Sequence, residues 1–146
     1  MNRFLKLCWI AVILFTSFIN KKEMFSLTVE VNGLRNSKGD VQFALYNKKS
    51  SIPDEKFKNS YKIIKGKIIN DSSEVTFDHL PAGKYAVSIL HDEDGNGKIK
   101  KVIFLPKEGI GFSNYQSISL ANRPSFKKAS FDLNNNLTIN VKIIYL

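Results

Sequence analysis

Phe77-Asp-His-Leu80-Pro81-Ala-Gly83-Lys-Tyr85-Ala-Val87 reads as two extended runs joined at a tight corner. Phe77 closes one run. Leu80 is placed to plug the end of a core, Gly83 to permit the reversal, and Tyr85 and Val87 to re-enter the interior. Outward from this corner the period of two persists. Val75 and Phe77 alternate with polar neighbours, as do Tyr85, Val87 and Ile89. Further out, Leu27-Val29-Val31, Val41-Phe43-Leu45 and Ala129-Phe131-Leu133 repeat the pattern, and Leu137-Ile139-Val141-Ile143-Tyr145 is its longest clean run. Tyr61 to Ile69 is a less regular seventh. Period two places alternate side chains on opposite faces, so each run predicts a strand with one face in a core and one in water. Asn36-Ser37-Lys38-Gly39, Asn70-Asp71-Ser72, Asp94-Gly95-Asn96-Gly97 and Asn134-Asn135-Asn136 supply the reversals. Pro53 to Asn59 is the one segment that could hold a short helix, with Pro53 in its first turn. The expected fold is all-β: a single antiparallel sandwich of about seven strands, of transthyretin-like or immunoglobulin-like type.

The amino terminus is organised differently. Arg3 and Lys6 precede an apolar run from Leu7 to Ile19, and a polar break follows at Asn20-Lys21-Lys22-Glu23. A basic start and an apolar run of roughly 13 residues predict an export signal over residues 1–20, too short for a comfortable membrane span. The alternative is an uncleaved anchor. No small-x-small triplet marks a cleavage site, and only in the anchor case is a membrane a partner. Residues 25–146 then form one domain, of a size that supports one core. The expected location is periplasmic or extracellular.

Cys8 is the only cysteine and lies inside the apolar run. A processed domain therefore has no disulfide, thiolate metal site or cysteine nucleophile. The formal charge of +9 falls to +7 without Arg3 and Lys6. Arginine occurs only at 3, 35 and 123, and the lysines are scattered. Nucleic acid is not the expected partner, because planar phosphate recognition favours arginine. The basic excess reads as a solvated surface. Weak attraction to cell-envelope polysaccharide or an anionic surface is the alternative.

His91-Asp-Glu-Asp-Gly-Asn-Gly-Lys98, followed by Pro106-Lys-Glu-Gly-Ile-Gly-Phe-Ser-Asn114, concentrates the polar and conformationally special sequence. Asp92, Asp94 and Asn96 occupy alternate positions with Gly97 next, like the first half of an EF-hand loop. The second half does not follow it. Ile103 stands where a bidentate Glu belongs, and Lys100 brings a positive charge to the proposed Ca²⁺. Glu93 or Glu108 completes a non-standard site only if the chain folds back. The favoured reading is a pair of β-turns at Asp94-Gly95 and Asn96-Gly97, with a weak calcium site at Asp92, Asp94 and Asn96 as the alternative.

His91 continues the face of Tyr85, Val87 and Ile89 and reads as a half-buried structural histidine bonded to a carboxylate. His79 reads as solvated. Phe104 and Phe112 are expected to pack inward; the alternative is that they line an apolar or sugar pocket with Tyr115. His91, Glu108, Phe112 and Asn114 complete the suspect loop. A hydrolase using His91 and Asp92 ranks last, since Ser113 is the only conspicuous nucleophile and nothing in the sequence places it in reach. Two histidines make a zinc site improbable.

Several segments taken in order carry a resemblance. They are Leu27-Thr-Val-Glu-Val-Asn-Gly-Leu34, Lys38-Gly39-Asp-Val41-Gln-Phe43-Ala-Leu45-Tyr46-Asn47, the corner, the stretch from Ala86 to Lys98, Leu105 to Asn114, and Pro124-Ser-Phe126 with Ala129-Ser-Phe131. The corner resembles that of transthyretin-like sandwiches. The whole series resembles the DUF2141 family of exported bacterial proteins. That resemblance implies a periplasmic or secreted β-sandwich without an assigned activity. The chain departs from the family pattern at Ile99-Lys-Lys-Val-Ile-Phe-Leu-Pro106, where lysines replace the family's polar oxygens. The function expected is a non-catalytic binding or envelope-structural module. The alternative is a calcium-stabilised carbohydrate- or surface-binding domain.

Overall fold

The computed structural model describes residues 22–102 and 105–146. The elements run β1 (Met24–Asn32), β2 (Asp40–Tyr46), β3 (Lys62–Gly66), β4 (Ser72–Pro81), β5 (Gly83–Asp92), β6 (Lys101–Val102), β7 (Leu105–Pro106), β8 (Ile110–Phe112), α1 (Phe126–Ala129), β9 (Phe131–Leu133) and β10 (Leu137–Asn140). The domain is all-β with almost no helix. One sheet has the order β10-β1-β4 and the other β3-β2-β5-β8, with β9 also paired to the start of β5. The seven alternating runs give β1, β2, β3, β4, β5, β9 and β10. The short β6, β7 and β8 all come from the glycine-bearing loop. The signal expected at residues 1–20, and Cys8 within it, lie outside the described residues. Among those residues no helix is long and apolar enough to cross a membrane.

Leu27, Val29 and Val31 of β1 and Val75 and Phe77 of β4 form one apolar layer. It meets Val41, Phe43 and Leu45 of β2 and Val87 and Ile89 of β5 in a single buried cluster. Alternation alone puts these residues inside, and each contributes about 1.5–3 kcal/mol by leaving water.

The corner links the two sheets, because β4 belongs to the first and β5 to the second. Leu80 is fully buried there, and the Tyr85 hydroxyl donates to the Pro81 carbonyl at 2.8 Å. Gly83 is not the hinge that the sequence suggests. The left-handed residue is His79 (φ 56°), exposed in a bulge where Asp78 and His79 together oppose Ser26.

Three further expectations are corrected. First, the sandwich is not wholly antiparallel: β10 runs parallel to β1, from Leu27↔Leu137 to Glu30↔Asn140. The chain leaves β9 beside Gly83, near Pro81, which pairs with Met24. It therefore reaches β1 at its starting end and can only run in its direction. Beyond β10 the same run crosses to the second sheet, where Ile144 bridges Ile110. Leu137 and Ile139 pack against the core, and Val141 and Ile143 are buried in it.

Second, β2 and β5 do not leave one face in water. Their outer residues Ala44, Tyr46, Ala86 and Leu90 lie under Ile52, Phe57, Phe112, Tyr115 and Phe126 in a second apolar cluster. Small alanines on the strands make room for aromatic groups from the loops.

Third, Pro53–Asn59 is not helical. It is a turn gathered round Asp54, whose Oδ2 accepts from Asn59 N at 2.7 Å, with Ile52 and Phe57 pinned inward. The described helix is α1. The Ser125 hydroxyl caps its start by accepting from Lys128 N at 3.3 Å, and Lys127 and Lys128 stand in its last turn.

Candidate functional site

The polar rim begins where β5 ends. Asp92 pairs with Asp40 across the ladder and is fully buried. Its Oδ1 accepts from Asn96 N at 3.0 Å and its Oδ2 from Gly97 N at 2.8 Å, so the loop is wound around this carboxylate. Gly95 and Gly97 take φ of 70° and 68°, as the paired turns require. Asp94 Oδ1 accepts from Asn96 N at 3.2 Å, and Oδ2 is bonded to the Lys100 ammonium.

The chain then folds back. Lys107 N donates to Lys100 O and His91 N to Gly109 O, both at 2.8 Å, and β8 pairs with β5. This return carries Glu108 onto the loop. Its Oε1 accepts from Glu93 N at 3.0 Å and Asp94 N at 3.3 Å. One carboxylate oxygen each from Asp92, Asp94 and Glu108 lies within 4.8 Å of the others. The Asn96 amide oxygen accepts from Lys98 N at 2.7 Å, and the fold-back adds Glu108 to the two aspartates. Glu93 goes elsewhere, to the Arg35 guanidinium and the Asn36 amide.

These settings pull the carboxylates apart. Burial raises the Glu108 pKa, and the charges of Asp94 and then Asp92 add to the rise, against its two backbone bonds. The hydrogen bond from Arg35 does the opposite to Glu93, lowering it to about 2 with help from Asn36. The bond from Lys100 lowers Asp94. A carboxylate depressed by folding stabilises the fold above its ordinary range and loses that effect on acidification. Wild type should therefore exceed Glu93→Gln in stability above about pH 5, with the gap closing towards pH 2, in urea titrations across that range. The Arg35 side chain is 43% exposed, which holds the difference to about 1 kcal/mol. A gap that widens in acid would contradict the assignment.

His91 is fully buried, not half-buried, and bonds to no carboxylate among the described residues. Its Nε2 lies 3.0 Å from the Lys38 carbonyl and its Nδ1 2.8 Å from the Tyr145 hydroxyl. A carbonyl only accepts, so in the neutral ring Nε2 carries the proton and Tyr145 donates to Nδ1. Tyr145 in turn accepts from Arg35 N at 3.1 Å. Ser113 is also committed: its hydroxyl donates to Ala129 O at 2.6 Å and accepts from Val87 N at 2.9 Å. It makes no bond to His91 among the described residues. Phe112 and Tyr115 are buried in the second cluster, while Phe104 lies outside the described residues. The Asn114 amide donates to Ala129 O and Ser130 O at 3.2 and 3.0 Å, tying the loop to the end of α1.

Arg35, Lys38, Tyr145 and Asn36 gave no sequence signal of a site. Only Tyr145 could have been placed, as the last inward position of the longest alternating run. Arg35, Asn36, Lys38, Lys107, Glu93, Asp94 and Glu108 line an open groove of about 420 Å³.

No curated protein matches the chain. Among solved structures, a fimbrial assembly protein from Parabacteroides distasonis ATCC 8503 is similar at 12% identity and a TM-score of 0.41. The alignment covers 85% of this chain and 54% of that one, so the chain spans about half its length. Residues 29–140 match the family described as an uncharacterized protein conserved in bacteria (DUF2141), and the chain belongs to that family.

Proposed function

We propose that this protein is an exported, transthyretin-like sandwich acting as a non-catalytic binding or envelope-structural module, with the 91–114 rim as its working end. The observation that carries this reading is the commitment of the catalytic-type groups. His91 uses both ring nitrogens, and the Ser113 hydroxyl bonds to backbone at both its roles. A general base and a nucleophile need a free partner and a path to substrate, and these have neither. Export is supported by the basic start and apolar run of residues 1–20. The transthyretin-like type is supported by the corner at Leu80 and Tyr85, which joins the two sheets. Lys38 and Lys107 line the groove and make no ion pair among the described residues, which supports contact with an anionic polysaccharide.

The test uses the full chain expressed in a bacterial host. The expected product is recovered outside the cytoplasm with an amino terminus near residue 20. The purified protein should co-sediment with envelope polysaccharide, and Lys38→Glu combined with Lys107→Glu should abolish that. Hydrolysis of ester or glycoside substrates that is lost on Ser113→Ala would overturn the non-catalytic reading. Cytoplasmic protein with Met1 intact would overturn export.

A further inference from the structure

Glu108 presents a problem that the rim does not solve by itself. The residue is 3% exposed, and its Oε1 takes two backbone N–H bonds. Its Oε2 is buried and has no hydrogen-bond partner among the described residues. A buried carboxylate oxygen without a donor or counter-charge carries an uncompensated desolvation penalty. The Glu108 carboxylate also clusters with two more, Asp92 and Asp94, with one oxygen of each within 4.8 Å of the others, which adds repulsion.

The existing counter-charges do not reach this oxygen. The Arg35 guanidinium is engaged with Glu93. Lys65 Nζ lies 3.3 Å from Asp40 and 3.6 Å from Asp92, dividing one charge between two acids. Lys100 bonds to Asp94, and its side chain is 57% exposed. An exposed pair of this kind is weakly held and readily exchanged.

We infer that Asp92, Asp94 and Glu108 form a site for a hard divalent cation of the calcium type, which displaces Lys100 from Asp94 and compensates the free oxygen of Glu108. The donors are all oxygens, with no thiolate and no available imidazole, so zinc and softer metals are disfavoured. The Asp92 oxygens each retain a lone pair beyond their backbone bonds. Three carboxylates on a loop give an irregular set of ligands to be completed by water. Calcium accepts this more readily than magnesium, which demands a near-ideal octahedron. Weak binding, with Kd on the order of 1 mM, suits a site outside the cytoplasm. The inference goes beyond the binding-module reading and does not depend on it, since an ion here orders the rim whatever the rim engages.

Thermal unfolding of the full domain in 10 mM CaCl₂, against NaCl at equal ionic strength, tests it directly. Wild type should gain about 3–6 °C in calcium and less than half of that in magnesium. Lys100→Gln removes the competing ammonium and should tighten calcium binding about threefold to tenfold. Glu108→Gln should abolish the gain. If Glu108→Gln does not fold, the exposed Asp94→Asn should lose most of the gain. Equal shifts in calcium and sodium would overturn the site, as would no shift in wild type and Lys100→Gln alike. A full calcium shift retained in Asp94→Asn would do the same.

Discussion

Gly39→Ala is expected to lower stability by about 3–5 kcal/mol, a drop in Tm of more than about 10 °C. Gly39 sits at φ +68°, in the left-handed region, where an alanine costs about 1–2 kcal/mol. The larger part is steric. A Cβ at this position would lie 1.9 Å from the Asp92 carbonyl oxygen and 2.9 Å from Glu93 Cα, both backbone atoms. Neither side can retreat. Asp40, the next residue, is in register with Asp92 on β5, and the Lys38 carbonyl before it is bonded to buried His91. Gly33→Ala is the matched control. Gly33 has φ +75° but nothing within 4 Å of its Cβ position, so only the conformational cost of about 1–2 kcal/mol applies. Urea unfolding of the two variants separates the terms. Equal losses would show that the Gly39 turn is not clamped against β5. Because the clash falls on Asp92, Gly39→Ala should also disorder the rim carboxylates.

Alternation made the sandwich legible because its side chains answer to a single surface. Leu27, Val29 and Val31 need only an apolar layer opposite, and any closed sandwich supplies one. The parallel placement of β10 was not legible. Leu137, Ile139 and Val141 alternate identically whether the strand runs with its neighbour or against it. The second apolar cluster was also hidden. Ala44 and Ala86 look like unremarkable outward positions until Phe57, Tyr115 and Phe126 arrive from loops distant in sequence. At the rim, the alternating Asp92 and Asp94 were legible, and the fold-back that brings Glu108 to them was not. Asn96 and Glu108 differ in what the backbone offers each: a local Lys98 N–H satisfies the amide of Asn96, while Glu108 depends on the return of the chain through β8. Spacing encodes local turns. A residue delivered by a long-range ladder leaves no mark on it.

Tyr115→Ala should cost about 3–5 kcal/mol, as expected for a buried aromatic and not for a residue of a surface loop. The ring is 2% exposed and packs edge-on against Phe112, with centroids 5.9 Å apart. Its hydroxyl donates to Arg123 O at 2.9 Å and accepts from Ser125 N at 3.0 Å, and Ser125 caps α1. Truncation therefore empties the second cluster and releases the segment that carries the helix. Tyr115→Phe keeps the ring and removes only these two bonds, so its cost should be about 1–2 kcal/mol. The ratio of the two losses, measured by denaturant unfolding followed by circular dichroism, reports how much of the loop layer is core. A loss below about 0.5 kcal/mol for Tyr115→Ala would mean that the outer face of β2 and β5 is open to solvent. The covered outer face of β2 and β5 therefore offers a partner no flat strand surface.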